Sequence, residues 1–173
     1  SDSGHVRIYQ LSPPTLIGQT TADATNGSYS INVSTLTEGS HSITATATDT
    51  ANNTSVSSVA HTVEVDTTAP VITLGGSTGV SVEVGGTYNE EGATSDGGET
   101  VTISGTVNES TAGDYVLSYN ASDAVGNAAT EVTRTVTVSD TTAPVVPTLT
   151  GPVLTNSVTV TGTAEVGSTV KVY

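Results

Sequence analysis

Oxygen-bearing side chains recur at a fixed spacing along this chain, in a pattern suited to binding a metal ion. The pattern is an Asp-x-x-x-Asn segment whose aspartate stands 17 residues before the sequence Asp-Thr-Thr-Ala-Pro. It occurs twice, 74 residues apart: Asp49 to Asn53 with 66–70, and Asp123 to Asn127 with 140–144. Calcium takes about six to eight oxygen ligands from carboxylates, amide and backbone carbonyls, and water. The repeated carboxylates therefore predict calcium sites at the joints between tandem structural units.

Three aspartates, two of them from this pattern, are expected to converge on one calcium site. In an antiparallel sandwich, the loop between the last two strands lies at the end where the chain enters the domain. The loop that begins at Asp123 would therefore lie beside the preceding linker, near Asp66, and the loop that carries Asp96 should open at the same end. Asn127 and Glu64 complete the predicted set of ligands.

Two further aspartates, Asp49 and Asp140, predict half-sites, because the linker or loop that each would face lies outside this chain. An alternative interpretation is that all of these aspartates only stabilise turns. Asp and Asn side chains accept backbone N–H hydrogen bonds in tight loops. Thr-Thr-Ala-Pro would then be an extended linker whose proline fixes φ. The residue pattern leaves both interpretations open.

Composition excludes several classes of function. The chain has 173 residues, with 3 Lys+Arg against 17 Asp+Glu, and a net charge of −14. Three basic residues are too few to neutralise a phosphate backbone or to hold an anionic membrane surface. No apolar run reaches the length of a membrane span, and the absence of cysteine excludes disulfides and thiolate metal sites. We therefore expect no nucleic-acid partner and no direct membrane insertion.

Catalytic chemistry has little support in the sequence. The histidines, His5, His41 and His61, all lie in alternating segments typical of strands, where a surface or hydrogen-bonded sheet residue is expected. No Gly-x-Ser-x-Gly motif is present, and no carboxylate pair indicates a glycosidase cleft. Adjacent strand residues point to opposite faces, so Glu90 and Glu91 predict solvated charge. We expect that the protein is not an enzyme.

Alternation of apolar and polar residues with a period of two predicts β-strands along most of the chain. The alternating segments are 5–9, 28–33, 42–47, 59–65, 80–84, 101–103, 115–119, 132–138 and 158–160. Gly-Gly, Asn-Gly and related turn signals separate them at the short spacing of a β-sandwich. No stretch keeps a helical period over three turns. The predicted fold class is all-β.

The 74-residue repeat predicts tandem antiparallel β-sandwiches in a linear array. We expect a domain over 1–65 that lacks its first strands, a complete domain over 66–139, and the opening strands of a third domain over 140–173. The boundaries rest partly on a likeness between residues 167–173 and residues 3–9. The strands that precede this motif at 145–166 have no counterpart before residue 3.

Several of these segments resemble bacterial immunoglobulin-like repeats of large surface proteins. Residues 10–70 resemble such a repeat through the run 39–49 and the closing Asp-Thr-Thr-Ala-Pro, and residues 66–138 resemble a related surface class through 80–88, 92–94 and 115–127. The resemblance implies tandem Ig-like sandwiches, an extracellular or cell-surface location, and a place in the stalk of an adhesin, where such repeats are often stiffened by calcium.

Three functions are compatible with these features. The first is a structural spacer in a long extracellular adhesin, with neighbouring Ig-like repeats as partners and joints rigidified by Ca²⁺. The alternative is a subunit of an extracellular filament, in which terminal strands of one copy complete the sheet of the next. A carbohydrate-binding module is less favoured, since sugar sites favour exposed aromatics and the chain has six Tyr but no Trp or Phe.

Overall fold

The computed structural model describes residues 4–150 and 160–173. In these ranges the chain forms twelve β-strands and no helix, which confirms the all-β prediction. The strands are β1 His5–Leu11, β2 Pro14–Thr20, β3 Gly39–Thr48, β4 His61–Val65, β5 Ile72–Leu74, β6 Gly79–Glu83, β7 Ala93–Ser95, β8 Thr102–Ser104, β9 Gly113–Asn120, β10 Val132–Ser139, β11 Thr148–Thr150 and β12 Thr161–Thr163.

The chain divides into two compact units. The first comprises Ser1–Pro70 together with Ser122–Ala129, and the second comprises Val71–Ala121 together with Thr130–Tyr173. In the first unit, β1 to β4 form one antiparallel sheet in the order β2-β1-β3-β4. The pairing of β1 with β2 shifts register between Ile8 and Tyr9, so a bulge bends this edge of the sheet.

The core of the first unit is a small apolar cluster of Val6, Ile8 and Ile17. Val6 and Ile8 lie two residues apart on one strand, so their side chains share a face. Ile31 packs against this cluster, but residues 28–33 form no strand, and that part of the sequence prediction is wrong. A backbone hydrogen bond from Ser34 N to Ile17 O, 2.7 Å long, holds the segment beside β2. The alternation there reflects the burial of Ile31 rather than ladder pairing.

The second unit contains a four-stranded sheet in the order β6-β10-β9-β8, with the two-stranded pairs β5–β7 and β11–β12. β10 pairs antiparallel with β9 and parallel with β6. Alternate residues of β9 and β10 point inward, as their period of two predicts. The buried apolar side chains of this unit are Ile72, Leu117, Tyr119, Ala121, Val136 and Val138.

Five observed strands were not predicted from the sequence. β5, β7, β11 and β12 have three residues each, too few for an alternation to be recognised. β2 begins at Pro14 and contains Gly18, both of which weaken a strand pattern. The strand predicted over 158–160 lies mostly outside the described residues, and Val160 itself precedes β12.

An ion pair between the buried Arg134 and the partly exposed Glu90 lies in the second unit and refines the prediction for Glu90. The Arg134 side chain, 1% exposed, donates to the Glu90 carboxylate at 2.5 Å and lies 5.7 Å from the centroid of the Tyr119 ring. The Tyr119 hydroxyl also donates to Glu90, at 2.8 Å. Arg134 donates further hydrogen bonds to the carbonyls of Gly75 and Ser77 and to the Tyr88 hydroxyl. Glu90 therefore keeps contact with solvent but is also ion-paired, because residues 84–92 are not a strand and its carboxylate points at Arg134.

Candidate functional site

The Asp49 carboxylate stabilises its own loop. It accepts hydrogen bonds from Ala51 N at 2.9 Å, from Asn53 N at 2.8 Å and from Asn53 Nδ2 at 2.9 Å. Asn52, the fourth residue of the loop, has a φ of 67°, a left-handed conformation that asparagine tolerates. The bonds from Asn53, above all from its side chain, lower the pKa of Asp49 below its ordinary value.

The Asp123 loop repeats this geometry. Asp123 Oδ1 accepts hydrogen bonds from Val125 N at 3.0 Å, Gly126 N at 2.7 Å and Asn127 N at 2.8 Å, and Oδ2 accepts one from Asn127 Nδ2 at 2.7 Å. Gly126, with a φ of 100°, stands where the first loop has Asn52. Desolvation acts to raise the pKa of Asp123, but the hydrogen bonds from Asn127, Gly126 and Val125 outweigh it and lower the pKa. Both aspartates are thus used to shape turns.

The Asn127 amide also binds the segment that follows β4. Its Nδ2 lies 3.1 Å from Asp66 O, 3.5 Å from Asp66 Oδ1 and 3.5 Å from Thr68 O. With Asp123 Oδ2, four oxygens therefore surround this one nitrogen. The amide ties the loop 122–129 to the linker 66–70 within the first unit.

A second contact holds the same linker through Glu38, which is not among the predicted ligands. Glu38 Oε2 accepts hydrogen bonds from Thr67 N at 2.6 Å and from Thr67 Oγ1 at 2.7 Å. These bonds lower the pKa of Glu38, while the nearby charge of Asp123 acts in the opposite direction. Glu38 lies outside the 74-residue repeat pattern, so no sequence signal links it to the linker.

The linker after β10 is held by the same chemistry. Glu83 Oε1 accepts hydrogen bonds from Thr141 N at 3.0 Å and from Thr142 Oγ1 at 2.9 Å. Asp140 Oδ1 accepts one from Thr142 N at 3.1 Å, as Asp66 Oδ1 does from Thr68 N at 3.0 Å. The side-chain hydrogen bonds of Thr141 and then Thr142 lower the pKa of Glu83 to about 2. Each Asp-Thr-Thr sequence therefore binds a glutamate of its own unit.

The remaining predicted ligands have other partners. Glu64, on β4, accepts a hydrogen bond from Ser40 Oγ on β3 at 2.6 Å. Asp96 belongs to the second unit, where its Oδ1 accepts hydrogen bonds from Val71 N at 2.8 Å and from Gly97 N at 3.0 Å. Within the first unit, the predicted residues that the structure brings together are Asp66, Asp123 and Asn127.

The oxygens around Asn127 Nδ2 are of the type that calcium prefers, namely two carboxylates and two backbone carbonyls arranged around one point. In this arrangement the amide nitrogen lies at that point, and its hydrogens bind the oxygens. Among the residues that the structure describes, no group of three His, Cys, Asp or Glu side chains is placed to hold a metal ion.

Comparisons with known proteins define the class of domain. Residues 72–138 match the family model of the Ig-like domain of bacterial surface proteins, and residues 25–93 match that of the bacterial Ig-like domain, group 3. The two matches confirm the predicted bacterial Ig-like repeats and their β-sandwich fold. Over residues 25–138 the chain is therefore similar to bacterial Ig-like domains, and over 72–138 to those of surface proteins. The search of curated proteins returned no match.

The family also bears on activity and location. Ig-like domain families are generally non-enzymatic. Their surface members indicate an extracellular or surface protein. Over the described residues, the chain forms no helix with the length and apolar character of a membrane span.

Proposed function

We propose that this protein is a structural spacer in the stalk of a long extracellular bacterial adhesin. The observation that carries the proposal is the Asn127 amide, which binds the loop 122–129 to the linker residues Asp66 and Thr68. A spacer extends reach only when its linkers have little freedom. The matches to Ig-like domains of surface proteins support the same role.

The linker has restraints at successive positions. Thr67 is bound to Glu38 through both its backbone nitrogen and its hydroxyl. Pro70 is buried and has a fixed φ. Ordering one backbone residue costs about 1–2 kcal/mol of conformational entropy, so a linker ordered by its own hydrogen bonds has already met this cost before the stalk is assembled.

Small-angle X-ray scattering of the intact chain tests the spacer proposal. Asn127→Ala removes the amide that binds the linker, whereas Asn53→Ala removes the equivalent turn bond of a loop whose hydrogen bonds, in the described structure, do not reach residues 66–68. We expect Asn127→Ala to broaden the distribution of interatomic distances and Asn53→Ala to leave it unchanged. Identical distributions for the wild type and Asn127→Ala would contradict the proposal. A mass that grows with concentration would favour the filament alternative.

We also propose that Ca²⁺ strengthens this linker contact. The supporting observation is the convergence of oxygens from Asp66, Thr68 and Asp123 on one point. Asn127 would join them as a ligand by turning its amide so that Oδ1 replaces Nδ2. Two carboxylates near each other repel, and a bound cation offsets that repulsion. Binding to the folded state alone stabilises it by RT ln(1 + [L]/Kd).

A thermal melt in excess EDTA, in millimolar Ca²⁺ and in millimolar Mg²⁺ tests the calcium proposal. The expected result is a rise in melting temperature that is specific to Ca²⁺. Asp66→Asn keeps the side-chain acceptor for Thr68 N but removes one charge, so it should reduce the rise. A melting temperature independent of Ca²⁺ would contradict the calcium proposal while leaving the hydrogen-bonded linker intact.

A further inference from the structure

The pairing of β6 with β10 differs from every other strand pair in the described residues because it is parallel. The register runs from Gly79 opposite Thr135 to Glu83 opposite Ser139. Backbone hydrogen bonds extend it at both ends, from Thr135 N to Thr78 O at 2.9 Å and from Val84 N to Ser139 O at 3.1 Å. The ladder therefore covers the whole length of β6.

The direction of the chain decides how this ladder carries load. The linker 66–70 leads through β5 into the first residue of β6, and β10 leads directly into the second linker at Asp140. Because the strands are parallel, the chain enters the pair at one end and leaves it at the other. Tension along the chain then pulls the two strands past each other and loads all their hydrogen bonds together.

The Glu83 contact lengthens this load-bearing pair. Glu83 is the last residue of β6, and its carboxylate binds the backbone nitrogens and the hydroxyls of Thr141 and Thr142 beyond the end of β10. Sliding β10 forward requires these bonds to break together with the ladder. Val136 and Val138 are fully buried on the inner side of β10, so water has poor access to the bonds from that face.

We propose that β6, β10 and the Glu83 contact form a shear clamp that gives the second unit high resistance to unfolding under tension along the chain. Forced unfolding is governed by the rate of crossing the unfolding barrier rather than by equilibrium stability. The biological use of the clamp rests on the proposed spacer role, in which tension passes from one repeat to the next. The mechanical property itself does not depend on that role.

Single-molecule force spectroscopy with two attachment geometries tests the clamp. The chain has no cysteine, so an introduced pair defines the pulling points. Val71→Cys with Val145→Cys, at positions 60% and 71% exposed, loads β6 and β10 in shear. Thr87→Cys with Val145→Cys pulls from the same end of both strands and peels them apart bond by bond. We expect a rupture force several-fold higher in the first geometry, although the fold is the same in both.

Glu83→Ala and Glu38→Ala form a matched pair of variants in the shear geometry. Both remove a glutamate that binds a Thr of an Asp-Thr-Thr linker, but only Glu83 belongs to the clamp. Glu83→Ala should lower the rupture force, and Glu38→Ala should not. Thermal melts of each protein establish that it is folded. Equal rupture forces in the two geometries would overturn the clamp, whereas a failed scattering test of Asn127→Ala would overturn only the spacer proposal.

Discussion

The two copies of the repeat share their loops and linkers but present opposite faces of the strand between them. In β4, Val63 and Val65 are half-buried, and the residues between and before them are exposed. In β10, Val136 and Val138 are buried. The 74-residue offset aligns Val63 with Thr137, an exposed residue. An equal spacing in sequence therefore preserves the ends of the segment but not the orientation of the strand.

An additional bulge after Ser58 in the first copy explains the difference. Ser55 N donates to Ala47 O at 2.8 Å, and Ser58 N donates to Ala45 O at 2.9 Å. Their hydroxyls accept hydrogen bonds from Ala47 N and Ala45 N, both at 3.0 Å. Three residues on one side thus span two on the other, which is a bulge, and the second copy has the same shift between the bridge Ser122–Ala128 and the pair Tyr119–Val132. In the first copy a second bulge follows, because Ser58 lies opposite Ala45 but His61 lies opposite Ile43. This extra one-residue shift turns every following side chain to the other face. β10 pairs with β9 from Val132 to Val138 without such a shift.

The difference in face also changes what each unit buries. Arg134 aligns with Ala60 in the first copy, and Ala60 is exposed. Arg134 itself is buried against Glu90 and Tyr119. One copy therefore stabilises its sheet with a small apolar cluster, while the other adds a buried arginine, paired with a partly exposed glutamate, to its apolar core.

The largest expected effect comes from breaking this ion pair. Arg134→Leu removes the hydrogen bonds that the buried guanidinium donates to Gly75 O, Ser77 O and the partly exposed Glu90 carboxylate, and hydrogen bonds of a charged group contribute about 1.5–3 kcal/mol. Ala60→Ser, at the aligned exposed position, should change stability by less than about 0.5 kcal/mol. Chemical denaturation followed by circular dichroism measures both.

The double variant Arg134→Leu with Glu90→Gln serves as the control for that prediction. Because it removes both charges, it should recover part of the loss. If Arg134→Leu alone were as stable as the wild type, the Arg134–Glu90 ion pair would not be what distinguishes the second unit.

The next largest effect on stability is expected at the fourth residue of the two loops, Asn52 in one and Gly126 in the other. Gly126 and Asn52 both have positive φ, at 100° and 67°. Gly126→Ala places a Cβ in a left-handed conformation that costs about 1–2 kcal/mol. Asn52→Gly relieves such a conformation and should change stability by less than about 0.5 kcal/mol. Urea denaturation of the two variants compares them, and an equal loss in both would show that the loops are not equivalent in backbone geometry.

A smaller effect on stability is expected at Ser58, where the strand bulges. Ser58→Ala removes the hydroxyl that accepts the hydrogen bond of Ala45 N, and a hydrogen bond of this kind contributes about 0.5–1.5 kcal/mol. Amide hydrogen exchange should be faster at Ala45 in the variant than in the wild type. Ala47, whose amide binds Ser55, is the internal control. Unchanged exchange at Ala45 would contradict the role assigned to Ser58.

The sequence predicted the loops and linkers better than the strands between them. Asp, Asn and Gly have strong local preferences in turns, and the repeated spacing made both loops visible. Sequence periodicity also located β1, β3, β4, β6, β8, β9 and β10. The three-residue strands β5, β7, β11 and β12 carry too short a pattern, and residues 28–33 alternate because Ile31 packs against the core rather than because the backbone is paired.

The contacts at the linkers were beyond sequence reasoning for a different reason. Glu38 lies 29 residues from Thr67, and Glu83 lies 58 residues from Thr141. The two glutamates come from different strands or loops and do not share the repeat offset, so only the fold brings each to its threonine. Glu90 and Arg134 are likewise 44 residues apart. A pattern in one chain shows which residues are repeated, but not which distant side chains meet.

The smallest expected effect compares the two glutamates that hold the linkers. Hydrogen bonds from Thr141 and Thr142 lower the pKa of Glu83 to about 2, from an ordinary value of 4.5. A lowered carboxyl pKa means that the stabilisation is fully present above the ordinary value and is lost as the pH falls through the folded value. The linker contact should therefore persist from neutral pH to about pH 3 and be lost near pH 2.

NMR titration of the Glu83 carboxyl carbon measures this, with Glu38, whose pKa is also lowered, as the comparison. Thr141→Ala with Thr142→Ala should return the Glu83 titration towards 4.5 and leave that of Glu38 unchanged, because each glutamate binds its own linker.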